Sequence, residues 1–213
     1  VSPSVRGRLH AISVNSRRRA AAATILLGRD RPRAWDRPVS WLYYSLAARE
    51  WSEKAVDENH LVAFEDGLSH CVAPKRAVDV GTGGGASAAA IARRFPDARV
   101  EGIDNSKAML RHAQRLHHEP NLTFRRAVIS ALPYPDGSID LVTMLNSALD
   151  IDEAARVLTD EGQILMAWSV STSGTTGSEG MWLARCAQAG FTLVEEGRAE
   201  PGRWELLGRQ RRG

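Results

Sequence analysis

The sequence predicts an α/β fold: a seven-stranded, mostly parallel sheet with an antiparallel last strand, helices on both faces and an N-terminal helical cap. Three observations carry this expectation. Short apolar runs alternate with helix-length segments from residue 77 onward. A glycine cluster follows the first of these runs directly. The last two runs are separated only by Gly197–Gly202, which is hairpin spacing and too short for a parallel crossover.

Residues 1–33 carry no sustained periodicity beyond the apolar stretch Ala20–Leu27, which Gly28 and Pro32 end. Near-helical spacing of Leu42, Leu46, Trp51, Ala55, Leu61, Phe64 and Leu68 predicts helices over about 39–54 and 58–71. Pro74 closes that section. Ala77–Val80 reads as the first strand and the alanine-rich stretch 86–95 as a helix. Arg99–Ile103 is the second strand and Ser106–Leu116 the next helix, with Ser106 as its N-cap. Leu122–Val128 is the third strand, and the turn Pro133–Gly137 leads into a fourth, Ile139–Leu145. A short helix at 151–158 precedes strand five, Ile164–Trp168. A helix at 179–189 and strands at 192–196 and 203–209 complete the pattern.

Composition narrows the function classes. With 43% hydrophobic and 25% charged residues in 213, the chain can bury a full core. No apolar run approaches the roughly 18–20 residues of a membrane span. Cys71 and Cys186 stand far apart without companions at metal-ligand spacing, which excludes a disulfide scaffold and a zinc ribbon. No secretory signal is visible, so the cytoplasm is the expected location. Charge is uneven: residues 1–40 hold nine arginines against Asp30 and Asp36, and 198–213 hold five against Glu200 and Glu205. The middle is acidic. Three regions follow: a basic segment at 1–34, an aromatic-rich helical cap at 35–72 and the α/β core at 73–213.

The chemistry is concentrated in Val78-Asp-Val-Gly-Thr-Gly-Gly-Gly-Ala86, a strand that runs through a side-chain-poor turn into a helix. Glycines let a backbone approach a ligand closely, and a helix N-terminus presents free N–H groups. Gly81-x-Gly83-x-x-Ala86 also satisfies the dinucleotide fingerprint, so the glycines alone do not name the ligand. Asp79 opposes a pyrophosphate and favours a cationic or amine-bearing ligand. Asp104 ends the second strand twenty-one residues after Gly83, where a carboxylate can accept both hydroxyls of a ribose.

Together these segments resemble the class I S-adenosylmethionine-dependent methyltransferases. The family's acid-x-Gly-x-Gly-x-Gly stands here as Asp79–Gly85, and its acid-x-Ser-x-x-Met-Leu as Asp104–Leu110. Leu-Pro-Phe-x-Asp-Gly-Ser-Phe-Asp-Leu-Val appears as Leu132–Val142, and Arg-Val-Leu-x-x-x-Gly as Arg156–Gly162. The resemblance implies a Rossmann-like core and S-adenosylmethionine as cofactor. It implies that Asp79, Gly81, Thr82, Gly83 and Gly85 hold the methionine part and Asp104 the ribose. Asn105 would lie beside the adenine, with Met109 in the same motif. The family often places an adenine-binding acid a few residues before Leu-Pro-Phe. That position falls here on Val128 or Ile129, leaving backbone groups and apolar cover for the ring. Asn146 would lie near the methyl-donor end.

Methyl transfer needs chiefly alignment and the exclusion of water, because the sulfonium carries its own activation, so no metal is expected. An alcohol or phenol acceptor also needs a base, and His60 is the candidate by location. Asp150 and Asp152 could ligate magnesium, but capping of helix 151–158 is the favoured reading. By elimination Trp35, Trp41, Tyr43, Tyr44 and Trp51 cover the pocket and meet the substrate. The expected function is methyl transfer to an oxygen or nitrogen atom of a small molecule. RNA or protein methylation is the alternative suggested by the arginine-rich ends, and a non-methylating binding protein that keeps the fold is another. No membrane partner is expected.

Overall fold

The computed structural model describes residues 59–169 and 179–210. Its element order is α1 (Val62–Ser69), β1 (Arg76–Val80), α2 (Ala86–Arg94), β2 (Arg99–Asp104), α3 (Lys107–Leu116), β3 (Leu122–Arg126), β4 (Ile139–Leu145), α4 (Ile151–Val157), β5 (Leu158–Trp168), α5 (Glu179–Gln188), β6 (Phe191–Ala199) and β7 (Gly202–Arg209). The seven strands form one sheet in the order β3-β2-β1-β4-β5-β7-β6. Strands β1 to β5 pair in parallel, and β7 is antiparallel to both β5 and β6. The antiparallel strand is last in sequence but interior in space, and β6 forms the edge.

Period-two alternation along each strand divides the apolar residues between two cores. Ala77, Leu141, Leu165 and Leu206 face one layer with Phe64 and Leu68 of α1 and the alanines and Ile91 of α2. Val78, Val142, Ile164 and Leu207 face the other, with Ile151, Ala154 and Val157 of α4 and Cys186 of α5. The alanines at 88, 89, 90 and 92 combine high helix propensity with little bulk, so α2 closes tightly on the sheet. Both cysteines are buried free thiols, and burial pushes Cys71 up to about 12 and Cys186 up to about 11.

The helix expected at 58–71 is shorter, and it is a sheet-packing element. Trp204 Nε1 donates to Asp66 Oδ2 at 2.6 Å, fastening α1 to β7. Beyond its C-terminal end, Val72 N donates to Gln163 Oε1 near the start of the long pairing of β5. At its other end, Ala63 packs where Gly202 meets the end of β5. The helix therefore runs antiparallel to β5, with its N-terminus at the carboxyl edge of the sheet. Strand five begins earlier than the periodicity suggested, because Leu158 pairs with Ile139 before the register shifts to Leu141–Gln163. Strand three ends at Arg126, since the chain turns back with Ala131 N donating to Val128 O. The expected helix at 39–54 lies outside the described residues.

Two of the recognised motifs are structural joints. Arg156 donates to the carbonyls of Leu132 (3.0 Å) and Tyr134 (2.9 Å) and to the carboxylates of Asp136 and Glu153. Leu132–Val142 and Arg156–Gly162 are thereby bolted together, away from the glycine turn. Asp140 Oδ2 accepts from the backbone N–H groups of Lys75 and Arg76, which anchors the start of β1. Among the described residues, no helix is long and apolar enough to cross a membrane.

Candidate functional site

Sheet order reverses between β1 and β4, and the carboxyl edge at such a point is where α/β sheets place ligands. Here β1 passes into the turn Gly81–Gly85. Gly81 N and Thr82 N both donate to Ile103 O at 2.9 Å, which lays the turn across the end of β2. Gly81 has φ 70° and Gly83 φ 52°, a left-handed region that disfavours a side chain. A Cβ on Gly81 would strike the side chain of Ser147. A Cβ on Gly83 would find nothing nearer than Gly81 O at 4.0 Å, so Gly83 faces open space. Gly85, at the N-cap of α2, packs its Cα against Phe124, Ala113 and His117.

Asp104 joins this turn to the next element. Its Oδ2 accepts from Gly83 N at 3.0 Å, and its Oδ1 from Ser106 N at 2.7 Å. Burial raises its pKa, and the backbone N–H groups of Ser106, Gly83 and Asn105 pull the other way. A carboxylate has about four acceptor sites, so acceptor capacity remains beyond these N–H groups. Ser106 Oγ caps α3 by accepting from Met109 N. Asn105 is exposed and Met109 is 5% exposed beneath α3. Val128 and Ile129 follow β3 at the same edge, held there by the bond from Ala127 N to Asp104 O at 3.1 Å. His117 lies behind the turn, where burial lowers its pKa.

Two of the expected contact residues have protein partners of their own. Asp79 is 0% exposed, with Oδ2 accepting from Ser87 Oγ at 2.6 Å and Oδ1 from Thr143 Oγ1 at 2.8 Å. It ties β1 to α2 and β4 behind the turn. Burial raises its pKa; the hydroxyls oppose that, and the nearby Asp104 charge adds to it. Asn146, at φ 52°, is the one non-glycine residue of positive φ among those described. Its Nδ2 donates to Ser169 Oγ at 2.8 Å and its Oδ1 accepts from Ser169 N at 3.0 Å. The amide is committed to clamping the exits of β4 and β5 together, and the next residue, Ser147, is the one laid on Gly81. Neither Ser147 nor Thr143 was visible to motif reading, because each is defined by a partner far away in sequence.

His60 is half-buried in the turn just before α1, and so at the carboxyl edge. Asp150 caps α4 by accepting from Glu153 N, and Asp152 pairs with Arg185. Among the described residues, no three His, Cys, Asp or Glu side chains gather as a metal site. Trp35, Trp41, Tyr43, Tyr44 and Trp51 lie outside the described residues.

An adenosyl cofactor with an amino-acid arm fits what is present. Gly83 leaves room over the turn, and Asp104 offers acceptor capacity for hydroxyls.

Residues 77–162 match the methyltransferase domain family. Demethylmenaquinone methyltransferase of Thermus thermophilus is 38% identical over 96 residues, which is 44% of this chain and 39% of that protein. Malonyl-[acyl-carrier protein] O-methyltransferase of Halorhodospira halophila is 36% identical over 107 residues, 45% of this chain and 35% of that protein. The chain thus spans little more than a third of the length of these curated relatives. Magnesium protoporphyrin IX methyltransferase of Synechocystis, solved with bound SAH, shares the fold: its TM-score is 0.61 at 18% identity, with 82% of this chain and 100% of that one covered. With the switch-point turn and the Asp104 junction standing inside the span that matches the methyltransferase domain, the match and the relatives together support a class I S-adenosylmethionine-dependent methyltransferase.

Proposed function

We propose that this chain transfers the methyl group of S-adenosylmethionine to an oxygen or nitrogen atom of a small-molecule acceptor, without a metal. The observation that carries this reading is the joint between Gly83 and Asp104, open on its outer side. When bound, the cofactor supplies an electrophilic methyl whose sulfonium charge disappears on transfer, so the protein's task is alignment and exclusion of water. In this reading Asp104 holds the ribose hydroxyls, Val128 and Ile129 border the adenine with Asn105 and Met109 beside it, and Gly81–Gly85 carry the amino-acid arm. Asp79 acts through Ser87 and Thr143, keeping β1, α2 and β4 in register under the turn.

For the acceptor, Trp35, Trp41, Tyr43, Tyr44 and Trp51 are the proposed apolar cover. His60, brought to the carboxyl edge by α1, is the proposed base for a hydroxyl acceptor. The two curated relatives, named for demethylmenaquinone and for a malonyl group on a carrier protein, support a small acceptor group. A second reading, an anionic macromolecule as acceptor, draws on Lys107, Arg111 and Arg115, which line an exposed stripe of α3 that carries no acid. Binding that collapses between low and moderate salt distinguishes it.

The test is calorimetric titration with S-adenosylhomocysteine, with NADH as control. Micromolar binding of the former alone is expected, followed by label transfer from S-adenosylmethionine to small acceptors. Absence of binding, or equal binding of NADH, removes the reading.

A further inference from the structure

Sheet order also gives the ligand a direction. Going along the carboxyl edge, β3 ends beside Val128 and Ile129, β2 ends at Asp104, β1 opens into Gly81–Gly83, and β4 ends at Asn146 and Ser147. On the reading just given, adenine lies at β3 and ribose at β2. The amino-acid arm then crosses β1, and its charged end arrives at β4. Among the described residues at β1 and β4, several polar side chains are already engaged. Asp79 is sealed from solvent, and Thr143 Oγ1 is given to it. Both polar atoms of the Asn146 amide are bound to Ser169.

Ser147 is different. The left-handed Asn146 turns the chain back across the edge, and Ser147 comes to rest on Gly81; a Cβ placed on Gly81 would lie 2.8 Å from Ser147 Cβ and closer still to Oγ. Glycine is thus required at position 81 by the serine as well as by its own φ. The Ser147 hydroxyl makes one hydrogen bond among the described residues, to Ala148 O at 3.5 Å, the outer limit for such a bond. It retains both donor and acceptor capacity at the junction of β1 and β4.

We propose that the Ser147 hydroxyl is a cofactor-binding group that fixes the amino-acid end of the bound cofactor, by accepting from its ammonium or donating to its carboxylate. The inference rests on the cofactor reading above. It adds Ser147 beside Asn146, which the family resemblance places near the methyl-donor end.

The test compares two ligands on two proteins. S-adenosylhomocysteine carries the amino-acid end; 5′-deoxy-5′-methylthioadenosine lacks it and keeps adenine and ribose. Ser147→Ala keeps the Cβ that packs on Gly81 and removes only the hydroxyl, so its melting temperature stays at the native value. Calorimetry should show about tenfold weaker binding of S-adenosylhomocysteine to the variant, as a hydrogen bond to a charged group implies, with methylthioadenosine unchanged. Equal affinity of both proteins for S-adenosylhomocysteine overturns the proposal, as does an equal loss for both ligands. If the native protein binds neither ligand, the cofactor reading itself falls, and the proposal with it.

Discussion

Replacing Asp104 tests two roles at once, because its carboxylate is both a structural joint and a proposed ligand contact. Asp104→Ala deprives the N–H groups of Gly83 and Ser106 of their acceptor. Bonds of this kind to a charged group contribute about 1.5–3 kcal/mol each when buried, but Asp104 is only partly buried and water can replace part of the loss. The burial that raises its pKa also makes the native charge costly, which offsets a further part. A net loss of about 2 kcal/mol follows, or about 4–8 °C in melting temperature for a domain of this size. Asp104→Asn should fall between, since its one amide oxygen can serve Ser106 N while its NH2 group faces Gly83 N–H. Affinity for S-adenosylhomocysteine should drop by about 30-fold to 1,000-fold in the alanine variant through lost ribose bonds. Thermal melts followed by calorimetry read both effects. A melting temperature that falls while affinity holds refutes the ribose assignment, and native values for both refute the joint itself.

Gly83→Ala and Gly137→Ala carry comparable backbone strain, at φ 52° and 59°, and neither methyl meets a close neighbour. Each should lose about 1 kcal/mol of stability, but only Gly83→Ala should lose cofactor affinity, measured by titration, since its methyl occupies the open face of the turn. Asp79 is an acid whose folded-state pKa is raised, so native stability falls as pH rises from the ordinary carboxylate range through the raised value. Asp79→Asn should flatten that slope in denaturant melts taken from pH 4 to 8. Thr143→Val, which strips one partner from the buried carboxylate, should destabilise by about 1–3 kcal/mol at neutral pH. Asn146→Ala loses the Ser169 clamp and keeps the left-handed φ, for about 1–3 kcal/mol, whereas Asn146→Gly relieves the backbone part; a smaller loss in the glycine variant, read by urea melts, checks the division.

Most of the sheet was legible because β1, β4 and the later part of β5 are short, largely apolar runs bounded by polar or glycine residues. The antiparallel turn of β7 followed from the brevity of Gly197–Gly202, since too few residues are present for a crossover. Its insertion between β5 and β6 was not legible, because pairing order depends on three-dimensional packing and no local pattern encodes it. Within the site, Gly81, Gly83 and Asp104 could be read because their chemistry is tied to the chain around them. The confinement of Asp79 could not be, because it depends on Ser87 and on Thr143, sixty-four positions away. Motif spacing likewise pointed to Asn146 but could not say which way its amide would turn, and the backbone reversal that brings Ser147 to Gly81 appears only once β4 and β5 are adjacent. The motifs Leu132–Val142 and Arg156–Gly162 look functional by their regularity, yet their regularity is explained by the Arg156 joint that fastens one to the other.

The placement of β7 also constrains the order of assembly. Strand β6 has no partner in the sheet except β7, although it precedes β7 in the chain. During synthesis β6 must therefore wait, and the free edge of β5 stays unpaired until residue 209 has emerged and the hairpin can dock as a unit. Helix α1 waits as well, for its apolar side, including Phe64 and Leu68, closes on Trp204 and Leu206 of that same late strand. The first described helix and the last described strand complete one core between them. Pairings between such distant segments form slowly. A nascent chain halted before β7 would expose an aggregation-prone strand edge and an uncovered helix face together.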